Sequence, residues 1–336
     1  MTNKEKYHIP VLLNSCIDGL NIKPGNIYVD VTFGGGGHSR LIHDNLKGLG
    51  HLYSFDQDED AADNCWKAEN FTFIASNFKY MSNHLKALGV HGVDGIIADL
   101  GVSSHQFNHF ERGFSFRENA DLDMRMNRRS GITAADVINS YEEADLVSLF
   151  KKYGELSQAR KISSKIIAIR DSSPIKSTYE LVDVVSSYCP ARKQNQFFAQ
   201  VFQALRIEVN GELDALESLL IQAEEMLNKD GRLVVVSYHS LEDRMVKKYF
   251  KKGSFDGEEK KDFYGNSQPV YFDTQYLSRQ YFSENNRMSS VKLGLVSDEL
   301  GVELVNAHEA MSDVIATSEV FQKYMLSMRN LSNGSS

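Results

Sequence analysis

Hydrophobic residues in the first hundred positions form four short runs, and a segment of helix length separates each run from the next. Apolar runs that alternate with helices in this way are typical of a parallel βαβ sheet. Each run ends in or beside a polar residue, and open α/β sheets bind ligands at the carboxyl ends of their strands. We therefore expect these polar side chains at a ligand-binding edge. The runs cover residues 27–31, 51–55, 71–75 and 92–98, and the polar residues are Asp30, Asp56, Ser76 and Asp99.

The pattern changes after the fourth run. Residues 133–187 have helical periodicity, with Thr133 or Ser140 as N-cap, whereas residues 105–130 have no clean period. A Val-rich run at 232–237 predicts one more strand, followed by a helix over 241–252 and a loop over 253–283. We therefore expect a discontinuous α/β core that carries an inserted, mostly helical domain. The predicted boundaries are 1–110 and 207–295 for the core, 111–206 for the insertion and 296–336 for a C-terminal extension.

Composition and charge fit a globular protein with two domains. The chain has 336 residues, of which 42% are hydrophobic and 24% charged. A net charge of -8 excludes nucleic-acid binding through bulk positive charge, so any phosphate-binding surface must be local. Residues 296–320 hold six acids and no Lys or Arg, which leaves about -2 for the rest. Basic runs at 151–170 and 244–252 are either solvated helix faces or phosphate contacts.

Cysteine usage and hydropathy predict a cytoplasmic protein. Cys16, Cys65 and Cys189 are widely spaced and form no CxxC, so we expect neither a disulfide framework nor a metal site. No stretch approaches the roughly 18 apolar residues of a membrane span, and the N-terminal apolar run is too short for a signal peptide. We therefore expect no membrane partner.

A glycine loop follows the first predicted strand and precedes a helix. Glycines let the backbone turn sharply, and the N–H groups at a helix start favour an anionic group. The loop lacks the Gly-Lys-Ser/Thr of a phosphate-binding loop, and Ser39 stands where a dinucleotide fingerprint needs its third glycine. Asp30 followed by Gly34 and Gly36 is similar to the first motif of class I methyltransferases that bind S-adenosylmethionine.

Two further residues extend this cofactor hypothesis. Asp56 lies twenty positions after Gly36 at the end of the second strand, where a carboxylate can accept hydrogen bonds from ribose hydroxyls. The alternative is a solvated acid in the acidic run 56–60. Phe78 follows the third strand and is placed either to cover an adenine face or to pack in the core.

Residues 99–106 lie at the end of the fourth predicted strand, where class I methyltransferases bind the methyl acceptor. The Asp/Asn/Ser-Pro-Pro-aromatic motif that DNA amino-methyltransferases usually carry is absent. Covalent catalysis by cysteine is disfavoured, because Cys189 is the only cysteine beside a proline and precedes it.

Six ordered blocks resemble the signature blocks of the RsmH (MraW) family, the bacterial ribosomal RNA small-subunit methyltransferases H. The resemblance runs from about residue 8 to residue 291. It departs from the family pattern at residues 285–292, which lack the Pro and one Arg of the family's closing basic block. The matching blocks are residues 30–39, 99–104, 111–116, 122–126, 202–207 and 237–244.

The resemblance implies an α/β class I S-adenosylmethionine-dependent, Rossmann-like methyltransferase core with an inserted helical domain. It also implies N4-methylation of a cytidine in the decoding region of 16S rRNA, with the small ribosomal subunit as partner. The family's cofactor contacts fall on Gly36, Gly37, His38, Asp56, Phe78, Asp99 and Gln106.

Methyl transfer to the cytosine amino group requires alignment and an acceptor for the amino hydrogens, because the nitrogen lone pair is delocalised. We expect the segments 99–104 and 237–244 to form the target pocket. The candidate catalytic residues are Asp99, Ser103, His239 and Asp243.

Two alternatives remain open from the sequence. One is a related methyltransferase that acts on another substrate, and the other is a non-catalytic RNA-binding or ribosome-assembly factor that retains the fold. Arginines in the first part of the insertion form either internal salt bridges or RNA contacts. They are Arg112, Arg117, Arg125, Arg128 and Arg129.

Overall fold

The computed structural model describes residues 10–103, 106, 110–190, 193–255 and 270–271. The predicted extension 296–336 and the altered block 285–292 lie outside these residues. Six parallel strands form one sheet in the order β3-β2-β1-β4-β5-β6. The strands are β1 (Ile27–Asp30), β2 (His51–Asp56), β3 (Phe71–Ala75), β4 (Val93–Asp99), β5 (Leu227–Val236) and β6 (Val270–Tyr271).

Ten α-helices belong to the described part of the chain. Four of them, α4 to α7, lie within the predicted insertion, and α8 leads out of it. The helices are α1 (Leu13–Leu20), α2 (Gly37–Leu46), α3 (Met81–Ala87), α4 (Ala134–Ser140), α5 (Glu143–Lys152), α6 (Ala159–Arg170), α7 (Thr178–Ser186), α8 (Gln194–Asn210), α9 (Glu212–Met226) and α10 (Ser240–Lys252). No helix in these described segments is both long and apolar enough to cross a bilayer.

The strand order reverses between β1 and β4, which is the point where open α/β sheets bind ligands. The register aligns the carboxyl ends of the strands: Asp30 lies opposite Ser54 of β2, and Asp99 opposite Val236 of β5. The predicted parallel sheet and its polar edge are therefore confirmed. The structure also adds β6, because the edge of β5 pairs with two residues in the segment predicted as loop.

Both faces of the sheet are covered by helices. Successive β4 residues point to opposite faces, so Ile96 packs with the cluster that includes α3, α9 and α10, and Ile97 with the cluster that includes α1 and α2. Both side chains are fully buried. The sheet is therefore packed on both faces, and the loops at its carboxyl edge follow from buried strands.

The insertion contains its own hydrophobic core, which extends from Phe114 to Leu205. Thr133 is confirmed as an N-cap, because its hydroxyl and the Asp136 carboxylate close a capping box at the start of α4. Helix α8 runs without a break through the predicted boundary at residue 206 and is capped by Gly211, whose φ is 58°. We propose Gly211 as the return point from the insertion to the core.

Candidate active site

A cleft opens at the carboxyl edge of the sheet. One wall is formed by residues that follow the first four strands, and the other by the insertion, α8, α9 and α10. The strand-end wall consists of Thr32, Gln57, Asn77, Phe78, Leu100 and Gly101. The opposite wall consists of Met126, Asn210, Glu212, Ala215, Leu216 and Glu242.

The glycine loop packs closely against its neighbours at Gly36 and Gly37. Gly36 is the N-cap of α2 and has a φ of 76°, which favours glycine. A Cβ atom at Gly36 would lie 3.0 Å from the ring of Phe33, and one at Gly37 would lie 2.3 Å from Cγ of Pro10. Gly34 also has a positive φ, of 49°. The backbone therefore forms this surface of the loop.

Asp30 lies behind the glycine loop and is completely buried. Its Oδ1 accepts the backbone N–H of Thr32 at 3.0 Å, and its Oδ2 accepts the hydroxyl of Ser39 at 2.6 Å. Burial raises the pKa of Asp30 despite these hydrogen bonds. The carboxylate fixes the loop to the start of α2. The cofactor contact predicted for Asp30 stays a prediction.

Asp56 holds the loops after β1 and β2 together. Its Oδ2 accepts the N–H of Gly34 at 2.8 Å, and its Oδ1 accepts the N–H of Asp58 at 2.9 Å. The side chain is only half-buried, and each oxygen retains a second lone pair for a ligand hydroxyl. Burial raises its pKa to about 6. This bonded position disagrees with the alternative of a solvated acid.

Gln106 fixes the segment that follows β4. Its Nε2 donates to Asp58 Oδ2 at 2.7 Å, and its Oε1 accepts the N–H of Ser103 at 3.1 Å. The Ser103 hydroxyl accepts the N–H of Gln106 at 3.2 Å. Gln106 is buried, and both ends of its amide are hydrogen-bonded. Gln106 therefore shapes the loop that carries Ser103.

Arg112 ties the insertion to the core. It is 3% exposed, donates to Asp58 Oδ2 at 2.5 Å, and donates to the carbonyl oxygens of Arg125 and Met126 at 2.9 and 3.0 Å. Arg112 therefore cannot reach RNA, and the internal alternative holds for it. Arg125 is likewise forked onto Asp123.

Asp99 ends β4 and stands among buried polar groups. Its Oδ1 accepts the Tyr238 hydroxyl at 2.7 Å, and its backbone N–H donates to Thr32 Oγ1 at 2.8 Å. Burial raises the pKa of Asp99 to about 7. Its Oδ2 lies 3.7 Å from Nδ1 of His38, which burial keeps neutral by lowering its pKa to about 4. A carboxyl group with such a pKa can exchange a proton near neutral pH.

His239 and Asp243 have local partners in the structure. His239 is the N-cap of α10: its Nδ1 accepts the N–H of Glu242 at 3.4 Å, and the Glu242 side chain closes the capping box. The catalytic role expected for His239 stays a prediction beside this capping role. Asp243 pairs with Lys247 at 3.0 Å along the same helix, and its catalytic role stays a prediction.

Glu242 was not among the predicted site residues, although it lines the cleft and is 3% exposed. Burial by itself would raise the pKa of Glu242, but hydrogen bonds from His239 and from the Tyr238 N–H and the charge of Arg206 lower it. Arg206 also forks onto Glu212 at 2.8 and 2.9 Å. Glu212, His239 and Glu242 lie close enough to hold a metal ion, but the guanidinium of Arg206 already supplies positive charge to this group.

Two basic surfaces meet beside the cleft. Glu155, between α5 and α6, accepts Nη2 of Arg244 at 2.7 Å and the Ser240 hydroxyl at 2.8 Å. These contacts join the basic run of the insertion to that of α10, although about ninety residues separate them in the sequence. Exposed basic side chains on the insertion part are Lys151, Lys152, Arg160, Lys161 and Lys165.

Comparisons with known proteins agree on one family. The sequence profile described as the MraW methylase family matches residues 5–297. The chain is 53% identical over 268 residues to a ribosomal RNA small subunit methyltransferase H from Phocaeicola vulgatus, covering 80% of this chain and 88% of that one. Proteins of the same name from Cytophaga hutchinsonii and Flavobacterium johnsoniae are both 49% identical, over 87% of this chain and 100% and 98% of theirs. This chain therefore belongs to the MraW methylase family.

Proposed function

We propose that this protein transfers a methyl group from S-adenosylmethionine to N4 of a cytidine in 16S rRNA of the small ribosomal subunit. The observation that carries the proposal is the cleft at the strand-order reversal, where Thr32, at the start of the glycine loop, and Gln57, beside Asp56, face a second wall built partly by the insertion. The family's relatives are named for methylation of small-subunit rRNA.

The residues of the cleft fit S-adenosylmethionine. Gly36 has a positive φ and packs against the ring of Phe33, so the loop makes its sharp turn without side chains. We propose that Gly36 and Asp56 hold the nucleoside part, while Phe78 and Leu100 line the apolar surface for its base. Bound there, the cofactor supplies an electrophilic methyl group.

Asp99 is the residue we assign to the target amino group. The cytosine amino nitrogen is a weak nucleophile, and a carboxylate that accepts one of its hydrogens helps it to attack. As the nitrogen–carbon bond forms and the sulfur–carbon bond breaks, an amino proton passes to Asp99. Ser103, held by Gln106, lies on the loop that follows and is proposed to border the same pocket.

The joined basic surface is proposed to bind RNA phosphates. Arg160 and Lys161 lie in the first turn of α6, where the helix dipole disfavours cations, so helix stability does not explain them. Replacing both Lys161 and Lys165 with alanine is expected to lower the slope of log affinity against log salt by about 2. Filter binding of small subunits measures this slope, with Lys86→Ala, which removes a lysine paired with Glu225, as control.

Methyl transfer to isolated small subunits tests the proposed function. We expect labelled methyl groups in 16S rRNA, and mass spectrometry should locate them on N4 of one cytidine. Labelling of naked RNA or DNA in preference to subunits would support a methyltransferase with another substrate. Calorimetry that detects no S-adenosylmethionine binding would support a non-catalytic RNA-binding or assembly factor.

The cellular location follows from the proposed substrate. Small ribosomal subunits are cytoplasmic particles in bacteria, so we propose that the protein acts in the cytoplasm. Fractionation of cells, followed by detection of the protein with an antibody, tests this assignment.

A further inference from the structure

Tyr238 follows β5 and has a partner on the neighbouring strand. Its hydroxyl donates to Asp99 Oδ1 at 2.7 Å, although the ring is 42% exposed. The hydrogen bond therefore joins the carboxyl ends of β4 and β5, beside the cleft. The pair lies where the predicted pocket brings the segments 99–104 and 237–244 together, although 139 positions separate the two side chains.

The backbone on both sides holds Tyr238 in place. Its N–H donates to Glu242 Oε2 at 3.0 Å, which fixes the turn between β5 and α10. Its ring packs over Gly101, where a Cβ atom would lie 3.3 Å from Cδ2 of the tyrosine. Gly101 also has a φ of 95°, which side chains rarely adopt. The close approach of Tyr238 to the β4 loop therefore depends on glycine.

The groups around Asp99 oppose its ionisation, and Tyr238 favours it. Burial and the charges of Asp30 on β1 and Glu242 on α10 raise the pKa of Asp99, whereas the hydrogen bond from Tyr238 lowers it. Cys16 from α1 interacts with the same carboxylate, and burial keeps its thiol protonated. His38 from α2 is neutral, and its Nδ1 at 3.7 Å is too far for a hydrogen bond.

We propose that Tyr238 is a positioning residue for methyl transfer, whose hydroxyl favours the ionised form of Asp99 and orients it to accept a hydrogen of the target amino group. This inference rests on the proposed function. During the reaction the amino proton moves to Asp99, and Tyr238 keeps its own proton and remains the donor. A residue with this role changes the pH dependence of the reaction as well as its rate.

The test compares Tyr238→Phe with Tyr141→Phe. Tyr141 is a matched control, because its hydroxyl also donates to a carboxylate, Glu208 Oε1, at 2.8 Å, but within the insertion. Loss of one hydrogen bond to a charged group should move the acidic limb of the kcat profile of Tyr238→Phe upward by about one pH unit. Activity on small subunits should fall about fivefold at pH 7 and recover by pH 9, with S-adenosylmethionine affinity unchanged.

A second measurement does not depend on activity. Infrared difference spectra, with Asp99→Asn to identify the band, report protonation of the Asp99 carboxyl group in the free protein. The midpoint should rise by about one pH unit in Tyr238→Phe and stay unchanged in Tyr141→Phe.

An unshifted midpoint, or a loss of activity that is equal at every pH, would overturn the role of Tyr238. If the wild-type protein methylates no small subunit while the infrared midpoint shifts as expected, the proposed function fails, and the catalytic part of this inference fails with it. Thermal melting of both variants confirms that they are folded.

Discussion

Two helices begin at the same edge of the sheet, and their first turns differ. Helix α2 follows β1 and starts at Gly36, which has no side chain to accept its N–H groups. Helix α10 follows β5 and starts at His239, where the side chains of His239 and Glu242 close a capping box. The helix that approaches the cofactor side of the cleft therefore presents backbone, whereas the other is capped by its own residues.

This difference indicates that the start of α2 binds a ligand, whereas the start of α10 supports the structure of the cleft. A helix start without an N-cap side chain leaves backbone N–H donors for a ligand or for another group, and at α2 the buried Asp30 accepts one of them, from Ser39. A capped start satisfies its own donors, so α10 builds a wall and holds Tyr238 through Glu242. Polar residues at the same sheet edge therefore have different roles, either ligand binding or structural support. The local hydrogen bonds of each residue determine which role it has.

The largest expected effect is on the free energy of unfolding, for a substitution in the cleft wall that includes Glu242. Glu242→Ala removes a buried carboxylate from between His239, the Tyr238 N–H and Arg206, and should lower the free energy of unfolding by about 3 kcal/mol. Urea denaturation measures this change. Asp243→Ala on the same helix breaks only the partly exposed pair with Lys247 and should cost about 0.5 kcal/mol. Equal losses in the two variants would contradict the buried role of Glu242.

The next largest effect is on the affinity for S-adenosylmethionine at the glycine-loop side of the cleft. Asp56→Asn removes the negative charge that we propose to accept ribose hydroxyls, which is worth about 2 to 3 kcal/mol. S-adenosylmethionine affinity measured by calorimetry should fall about 30- to 150-fold. Glu59→Gln, which removes a nearby exposed carboxylate paired with Arg129, should bind normally. Normal binding by Asp56→Asn would refute the proposed ribose contact.

Substitutions at His239 distinguish a role as the N-cap of α10 from a catalytic role. His239→Ala removes the N-cap of α10 and should cost about 1 kcal/mol of stability, measured by thermal or urea unfolding. His239→Ser supplies another good N-cap and should restore most of that loss together with methylation activity. If the serine variant is as stable as the wild type but has lost methylation activity, His239 is a catalytic residue. The contrast between a binding helix start at α2 and a structural one at α10 is then wrong.

The smallest expected effect is a pH dependence of cofactor binding. The pKa of Asp56 is raised to about 6, so the side chain gains a proton as pH falls through that value. The proton occupies an oxygen that must accept a hydrogen bond, and affinity for S-adenosylmethionine should be about fourfold lower at pH 5.5 than at pH 7.5. Calorimetry at the two pH values measures this ratio. Asp56→Asn should remove this dependence, and the same ratio in that variant would assign it to another group.

Much of the architecture was predictable because it depends on local pattern. The four early strands, the later Val-rich strand and the Thr133 cap all follow from periodicity and capping preferences. The glycine loop and Asp56 were found because spacing along one strand-loop-helix unit reports their position. Boundaries were less accurate: α8 passes through the expected domain limit, because nothing in its periodicity marks that limit.

The site residues divide in the same way. Asp30 was correctly placed at the sheet edge, but its burial behind the loop cannot be read from a motif, and its cofactor contact stays a prediction. Arg112, Glu242 and Tyr238 act through partners 54, 3 to 4 and 139 positions away, respectively. For Arg112 and Tyr238 spacing carries no signal of such pairs. The Glu242 capping box is a local signal, since a polar N-cap is followed by glutamate three residues later.

The sequence by itself determined the strands of the parallel sheet and the edge of the sheet where their polar residues lie, because these follow from periodicity and from the rule for parallel sheets. Only the tertiary structure decided which edge residues face the cleft, which are buried supports and which two strands share the Asp99–Tyr238 hydrogen bond. The physical reason is that burial and long-range hydrogen bonds set both the orientation and the pKa of a side chain. Neither property exists until the chain has folded.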